Sequence, residues 1–145
     1  EVDTNNPQRL MRALEIIYST NKTFSSFRKK TNKKRNFNII KIGLHTDREI
    51  LYNRINSRVD LMMNKGLLKE VESLITYKNQ NSLKTVGYKE LFEYFEGMYS
   101  LTEVVKKIKQ NTRRLAKRQI TWFKKDPKIN YFAPEDTQKI IDFIG

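Results

Sequence analysis

A mainly α-helical chain with a small β component is the fold class this sequence predicts. Three observations lead there. Apolar residues recur at helical spacing through most of the chain, and several of these stretches open on a recognisable cap. Only two runs, 37–44 and 128–132, have the short apolar, β-branched character of a strand. The 145 residues hold no internal repeat and suit one domain or a compact piece of a larger one. An apolar strand such as "IIKIGL" normally sits inside a larger sheet. The chain therefore reads as a single fragment of a larger protein whose other strands lie upstream.

The elements follow in order. Asn6-Pro7 opens a helix over 6–19, with Asn6 as N-cap and Pro7 in the first turn, and Leu10, Leu14 and Ile17 or Tyr18 at helical spacing. Residues 28–36 form a basic linker; "RKKTNKKR" carries six basic residues in eight and nothing apolar. A strand over 37–44 comes next. Helical pattern then fills 47–77, opened by a Thr46-Asp-Arg-Glu49 capping box and divided near Gly66. After a loop at 79–82, "VGYKELFEYFEG" gives a short helix over 86–96, ended by Gly97. Ser100, with Glu103 three residues on, caps a long helix over 101–125 that Asp126-Pro127 terminates. A second strand at 128–132 and a final helix at 135–144 complete the chain.

Composition narrows the function. A net charge of +13 points to polyanionic partners, nucleic acid or an anionic membrane surface. Cys is absent and His45 is the single His, which excludes a disulfide framework, a thiolate metal site and a multi-histidine site. No apolar run approaches the ~20 residues of a membrane span, and no long basic helix carries an open apolar face. The start lacks a signal peptide. A cytoplasmic protein without a membrane partner is expected. No phosphate loop of the G-x-x-x-x-G-K-[ST] kind occurs.

The candidate binding residues lie in four places. On the long helix, Leu101, Val104, Val105, Ile108, Leu115 and Trp122 share one side. Lys107, Arg114, Lys117, Arg118, Thr121 and Lys125 share another, a stripe that is either a solvated face or a phosphate-binding one. Trp122 and Phe123 are either a core anchor or a base-stacking surface, and Trp122 is expected to anchor. Arg54 and Arg58 lie one turn apart. They either pair with carboxylates of neighbouring helices or grip a diphosphate. Gln8, Arg9 and Arg12 cluster on the first helix. Gly87 in "TVGYKE" either makes an ordinary helix entry or offers backbone amides to a phosphate.

Four stretches in this order carry a resemblance: "NPQRLMRALEI", "REILYNRINSRVDLMMNKGLLKEV", "TVGYKELFEYFEG" and "NTRRLAKRQITWFKKDPKINYF". Together they closely resemble the C-terminal half of the bacterial tRNA dimethylallyltransferases, also called tRNA isopentenyltransferases. The likeness runs over nearly all of residues 3–132. "AKRQITWF" and "GYKEL" are its most specific parts, and 28–38 and the last dozen residues match loosely.

The resemblance implies a C-terminal fragment of a P-loop NTPase-like α/β fold with a helical insertion. It implies transfer of a dimethylallyl group from dimethylallyl diphosphate to the exocyclic amine of the adenosine on the 3′ side of a tRNA anticodon. The phosphate loop, with its nucleotide- or ATP-type signature, and the Asp base belong to the half that precedes this chain. The fragment alone is therefore expected to be inactive, with Mg²⁺ bound mainly outside it and no metal within it. The resemblance further implies tRNA contact by Gln8, Arg9, Leu10, Met11 and Arg12, by Lys84, Thr85, Val86, Gly87, Tyr88 and Lys89, and by Lys117, Arg118, Gln119, Ile120, Thr121, Trp122, Phe123 and Lys124. It places Arg58, with Arg54 one turn before it, on the diphosphate side. Lys84, Lys89 and Lys124 stand where relatives also use Arg; Lys keeps the charge and loses the fork. The partners implied are the anticodon stem-loop and dimethylallyl diphosphate, acting on a monomer. A stand-alone basic helical nucleic-acid-binding module is the rival reading, and a phosphate loop upstream would distinguish the two.

Overall fold

The computed structural model describes residues 3–27 and 36–145. The basic run 28–35 lies outside the described residues. The chain divides into two compact units, Glu1–Ile39 and Ile40–Gly145.

In the first unit, α1 spans Pro7–Thr20 and a short α2 spans Phe24–Phe27. The Asn6 side chain accepts from the Arg9 N–H at 3.2 Å, and Pro7 occupies the first turn, where no N–H is needed. Asn21 closes α1 in the left-handed region at φ 51°, a conformation Asn tolerates. Among the described residues only Ala13 is buried here, and Leu10, Leu14 and Ile17 each stay more than a third exposed.

The second unit opens with β1, Lys41–Leu44, followed by α3, Arg48–Asn64, and α4, Leu67–Ser73. Two turns of 3₁₀-helix, Ile75–Tyr77 and Asn81–Leu83, lead to α5, Tyr88–Phe95, and then α6, Leu101–Phe123. β2, Ile129–Phe132, and α7, Thr137–Ile144, complete it. β1 and β2 pair in parallel, Lys41 opposite Ile129 and Leu44 opposite Phe132.

The strand expected over 37–44 is shorter than its apolar pattern: 36–40 are exposed, and the pairing with β2 runs from Lys41 to Leu44. The helical stretch over 47–77, expected to divide near Gly66, divides at Lys65–Gly66. Gly66 takes φ 99°, a value a residue with a Cβ rarely adopts, and Leu67 restarts the helix in a new direction. The cap of α3 is Asp47 rather than Thr46; its Oδ1 accepts from the Glu49 N–H at 2.8 Å. The Ser100–Glu103 box on α6 forms reciprocally: the Ser100 N–H donates to Glu103 at 2.8 Å and the Glu103 N–H to Ser100 at 3.4 Å.

One apolar core holds α3 to α6 together. Val59, Leu67, Val71, Leu91, Phe92, Val104 and Ile108 are buried and in mutual contact. Polar ties surround it. Asn56 accepts from Arg113 at 2.6 Å, Asp60 pairs with Lys109 at 2.6 Å, Glu93 pairs with Lys107 at 2.6 Å, and Tyr88 donates to Glu70. The hydrogen bond to Glu70 also pushes the Tyr88 hydroxyl above its ordinary pKa. The buried stripe of α6 ends at Ile108. Leu115 is 39% exposed and Trp122 68%. Trp122 therefore does not anchor α6 to this core: the helix runs on past the last element that covers its apolar side.

Candidate nucleic-acid interface

The loop before α5 and the middle of α6 close a cleft of about 310 Å³. Lys84, Thr85, Val86 and Lys89 line it from the loop and the first turn of α5; Lys107, Asn111, Arg114 and Arg118 line it from α6. Two stretches distant in sequence, 84–89 and 107–118, thus meet on one surface. Lys84, Lys89 and Arg118 have no carboxylate within ion-pair distance among the described residues. Lys107 does. Glu93 takes its ammonium and holds its pKa above the usual range, and the Tyr99 ring lies 3.7 Å beneath it. Lys107 is therefore neutralised and leaves the free basic stripe on which its spacing placed it.

The wall of this cleft rests on Gly87 and Glu90. Gly87 is buried at φ 104°, with open space where a Cβ would stand, so backbone conformation and not crowding demands glycine. The Gly87 N–H donates to Glu90 Oε2 at 2.7 Å, and the Lys89 N–H donates to the Thr85 carbonyl at 3.1 Å. These two amides cap the helix internally and are not available to a phosphate. Glu90, 3% exposed, also accepts from Asn111 Nδ2 at 2.7 Å. Sequence reading missed both Glu90 and Asn111. The Gly87-x-x-Glu90 spacing of a capping box was the legible signal for the first; the second carries no local signal.

The stretch 117–124 is divided between two cavities. Arg118 faces the cleft. Gln119, Ile120, Trp122, Phe123 and Lys124 line a second, open groove of about 1220 Å³ between the end of α6 and the strands. Trp122 and Phe123 meet edge to face at 4.9 Å. Lys117 and Thr121 line neither cavity, and the Thr121 hydroxyl donates back to the Lys117 carbonyl at 2.9 Å. Gln8, Leu10 and Met11 lie exposed on α1, with Arg9 paired to Asp3 at 3.6 Å and Arg12 to Glu15 at 2.9 Å. Exposed pairs of this kind are worth little and yield readily to a phosphate.

Arg54 and Arg58 are exposed on α3, and neither has an ion pair or hydrogen bond among the described residues. The pairing with neighbouring carboxylates that their spacing allowed is not what forms. The helix explains why. Tyr52 and Asn56 face α6, with Arg113 bonded to Asn56 and its guanidinium 6.0 Å from the Tyr52 ring. A residue two positions on lies about 200° round the helix, so Arg54 and Arg58 point away from α6. They are two adjacent, unneutralised guanidinium groups.

The model of the family described as IPP transferase matches residues 1–126. The chain belongs to this family. A tRNA dimethylallyltransferase of Bacteroides thetaiotaomicron is 52% identical over 143 residues, covering 99% of this chain and 46% of the relative. The crystal structure of a tRNA isopentenylpyrophosphate transferase from Staphylococcus epidermidis superposes with a TM-score of 0.68 at 37% identity, covering 99% of this chain and 49% of that one. A eukaryotic dimethylallyltransferase described as acting on tRNA superposes with a TM-score of 0.73 at 26% identity, over 97% of this chain and 41% of that one. The chain thus spans about half the length of the curated relatives it matches, consistent with the C-terminal half read from its sequence. The mainly helical fold with two short strands is that of these isopentenyltransferases, with their P-loop-like core.

For an IPP transferase, Mg²⁺ is the usual ion. Among the described residues no group of three His, Cys, Asp or Glu side chains converges as a metal site requires. The described residues thus offer no three-ligand site for the ion. No described helix is long and apolar enough to cross a membrane.

Proposed function

We propose that the intact protein is a cytoplasmic, monomeric tRNA dimethylallyltransferase, and that this chain supplies its tRNA-binding surface and the arginines on the diphosphate side. The observation that carries the reading is the cleft in which the Lys84–Lys89 and Arg114–Arg118 cations converge, formed from the two stretches most specific to the family. Four side chains of one sign around one opening suit a phosphodiester backbone. Contacts to phosphates position an RNA and do not specify its sequence. The exposed stretches around Gln8–Arg12 and Lys117–Lys124 extend the same role.

The reaction is an alkyl transfer. The carbon–oxygen bond of dimethylallyl diphosphate breaks, its electron pair leaves with the diphosphate, and the exocyclic amine of the adenosine 3′ to the anticodon supplies the new carbon–nitrogen bond. Negative charge grows on the leaving oxygen. Arg58, assisted by Arg54, is free to meet it, and a guanidinium needs no proton transfer to do so. The proton lost by the amine passes to a carboxylate base outside this chain. Mg²⁺ is assigned to the remainder of the enzyme, and no step here runs through it.

The test is to incubate the intact protein with dimethylallyl diphosphate, Mg²⁺ and an anticodon stem-loop, and to look for dimethylallyl-adenosine by mass. Product is expected. Tight RNA binding without product would favour the rival reading, a nucleic-acid-binding module without catalysis. The 145-residue chain alone is expected to yield none.

A further inference from the structure

The cleft holds a buried carboxylate among its cations, and none of them neutralises it. Glu90 is 3% exposed, and both its oxygens are occupied by neutral donors: Oε2 by the Gly87 N–H and Oε1 by Asn111 Nδ2, each at 2.7 Å. Lys107, which lines the same cleft, is paired with Glu93. Burying a carboxylate is costly unless its lone pairs are satisfied, and a cap of the Gly87 amide alone would use only one oxygen.

The second oxygen has a consequence further along α6. A primary amide donates from one end and accepts at the other. With Glu90 accepting at one end, Asn111 must turn its Nδ2 inward and its Oδ1 outward. That Oδ1 accepts from Arg114 Nη1 at 3.3 Å. The order of donors and acceptors therefore runs one way, from Arg114 through Asn111 to Glu90, which also holds Gly87.

We propose that Glu90 is a positioning residue for RNA binding: acting through Asn111, it fixes the guanidinium of Arg114 over the cleft, while its other oxygen fixes the loop that carries Lys84 and Lys89. This rests on the reading of the cleft as an RNA phosphate site. An all-acceptor side chain is essential to it. A glutamine at position 90 can still cap Gly87 through Oε1, but its Nε2 then meets the Asn111 NH₂, donor against donor. If Asn111 flips to relieve the clash, it presents its NH₂ to Arg114 and repels it. If it does not flip, the clash pushes Asn111 off residue 90 and its Oδ1 is no longer held in place. In both cases Arg114 loses its fixed partner.

The experiment measures binding of an anticodon stem-loop by the intact protein from low to high salt for the wild type, Glu90→Gln, Arg114→Ala, Glu90→Gln/Arg114→Ala, Asn111→Ala and Lys89→Ala. Losing one phosphate contact lowers the slope of log affinity against log salt by about 0.9. Glu90→Gln and Asn111→Ala are each expected to weaken binding and flatten the slope as Arg114→Ala does, and the Glu90→Gln/Arg114→Ala double variant to behave like Arg114→Ala alone. A purely structural role would lower the melting temperature without this non-additivity. Should Glu90→Gln fail to fold, Asn111→Ala, which leaves the Gly87 cap intact, decides. The proposal is overturned if Glu90→Gln and Asn111→Ala keep the wild-type slope while Arg114→Ala and Lys89→Ala flatten it, or if the Glu90 and Arg114 effects add. If neither Lys89→Ala nor Arg114→Ala affects binding, the reading of the cleft as an RNA site fails, and the proposal fails with it.

Discussion

Arg113 reaches from the middle of α6 to Asn56 on α3, Nη1 to Oδ1 at 2.6 Å, and so sets which way α3 is turned. The bond is part-buried and its donor is charged, so it is of the stronger kind. Asn56→Ala is expected to destabilise the fold by about 1.5–3 kcal/mol. Denaturant melts of the two proteins check this, and indistinguishable midpoints would mean that apolar packing alone orients α3.

The rotation of α3 leaves Arg58 unpaired, and its role follows from that. Arg58→Ala in the intact enzyme is expected to slow dimethylallyl transfer by ~10²–10³ while RNA affinity changes little. Arg58→Lys recovers part of the rate, because the charge returns without the fork. Near-normal single-turnover rates for Arg58→Ala would remove it from the diphosphate side.

Trp122 and Leu91 make a contrasting pair. Leu91 is fully buried, and Leu91→Ala is expected to cost ~2–5 kcal/mol. Trp122 is 68% exposed, so Trp122→Ala in this chain is expected to stay within about 0.5 kcal/mol of the parent. Thermal melts of both variants measure the difference, and a Trp122→Ala loss as large as that of Leu91→Ala would restore the anchoring role.

Lys117 lies on the exposed flank of α6, outside both cavities. If the RNA backbone follows the helix beyond the cleft, Lys117→Ala weakens binding for every sequence alike and lowers the salt slope by about one unit or less. A titration over a range of salt concentrations reads both quantities. An unchanged slope would confine the RNA to the cleft.

Asp126 gives a pH dependence of known sign. Its pairing with Lys41, and then the Lys128 N–H at 3.0 Å, hold its carboxyl below the usual range. A group whose pKa is depressed by folding contributes stability above its unfolded pKa, about 3.9, and loses that contribution as pH falls through the folded value. Wild-type protein is therefore expected to lose more stability than Asp126→Asn on acidification below about pH 4. Parallel acid-dependent melts would show the curves converging at low pH; curves that stay equally spaced would refute the coupling.

What the sequence made legible was local. Asn6 with Pro7 and Ser100 with Glu103 lie within three residues of their partners, so their caps could be read directly, and the helices they open are found within two residues of expectation. The strand at 37–44 was overlong because apolar pattern alone does not say where a partner begins. The ties that build the cleft and turn α3 join residues 21 and 57 positions apart, Glu90 to Asn111 and Asn56 to Arg113. No spacing rule reaches that far. For the same reason, the family signature at 117–124 read as one surface, whereas Arg118 lines the cleft with the loop before α5 and Trp122, one turn further along the same face, lines the groove beside the strands.

The α6 helix, 23 residues long, is clamped over only part of its length. Val104 and Ile108 are locked in the core, and nothing beyond Ile108 in this chain is fully buried. Its backbone amides should therefore exchange with deuterated solvent in two regimes. Those near 104–112 open only with the whole domain. Those near 118–123 open by fraying from the C-terminal end of the helix, many times per global unfolding event. The half of the helix that carries the most specific family signature is thus the half whose order depends on what is laid against it.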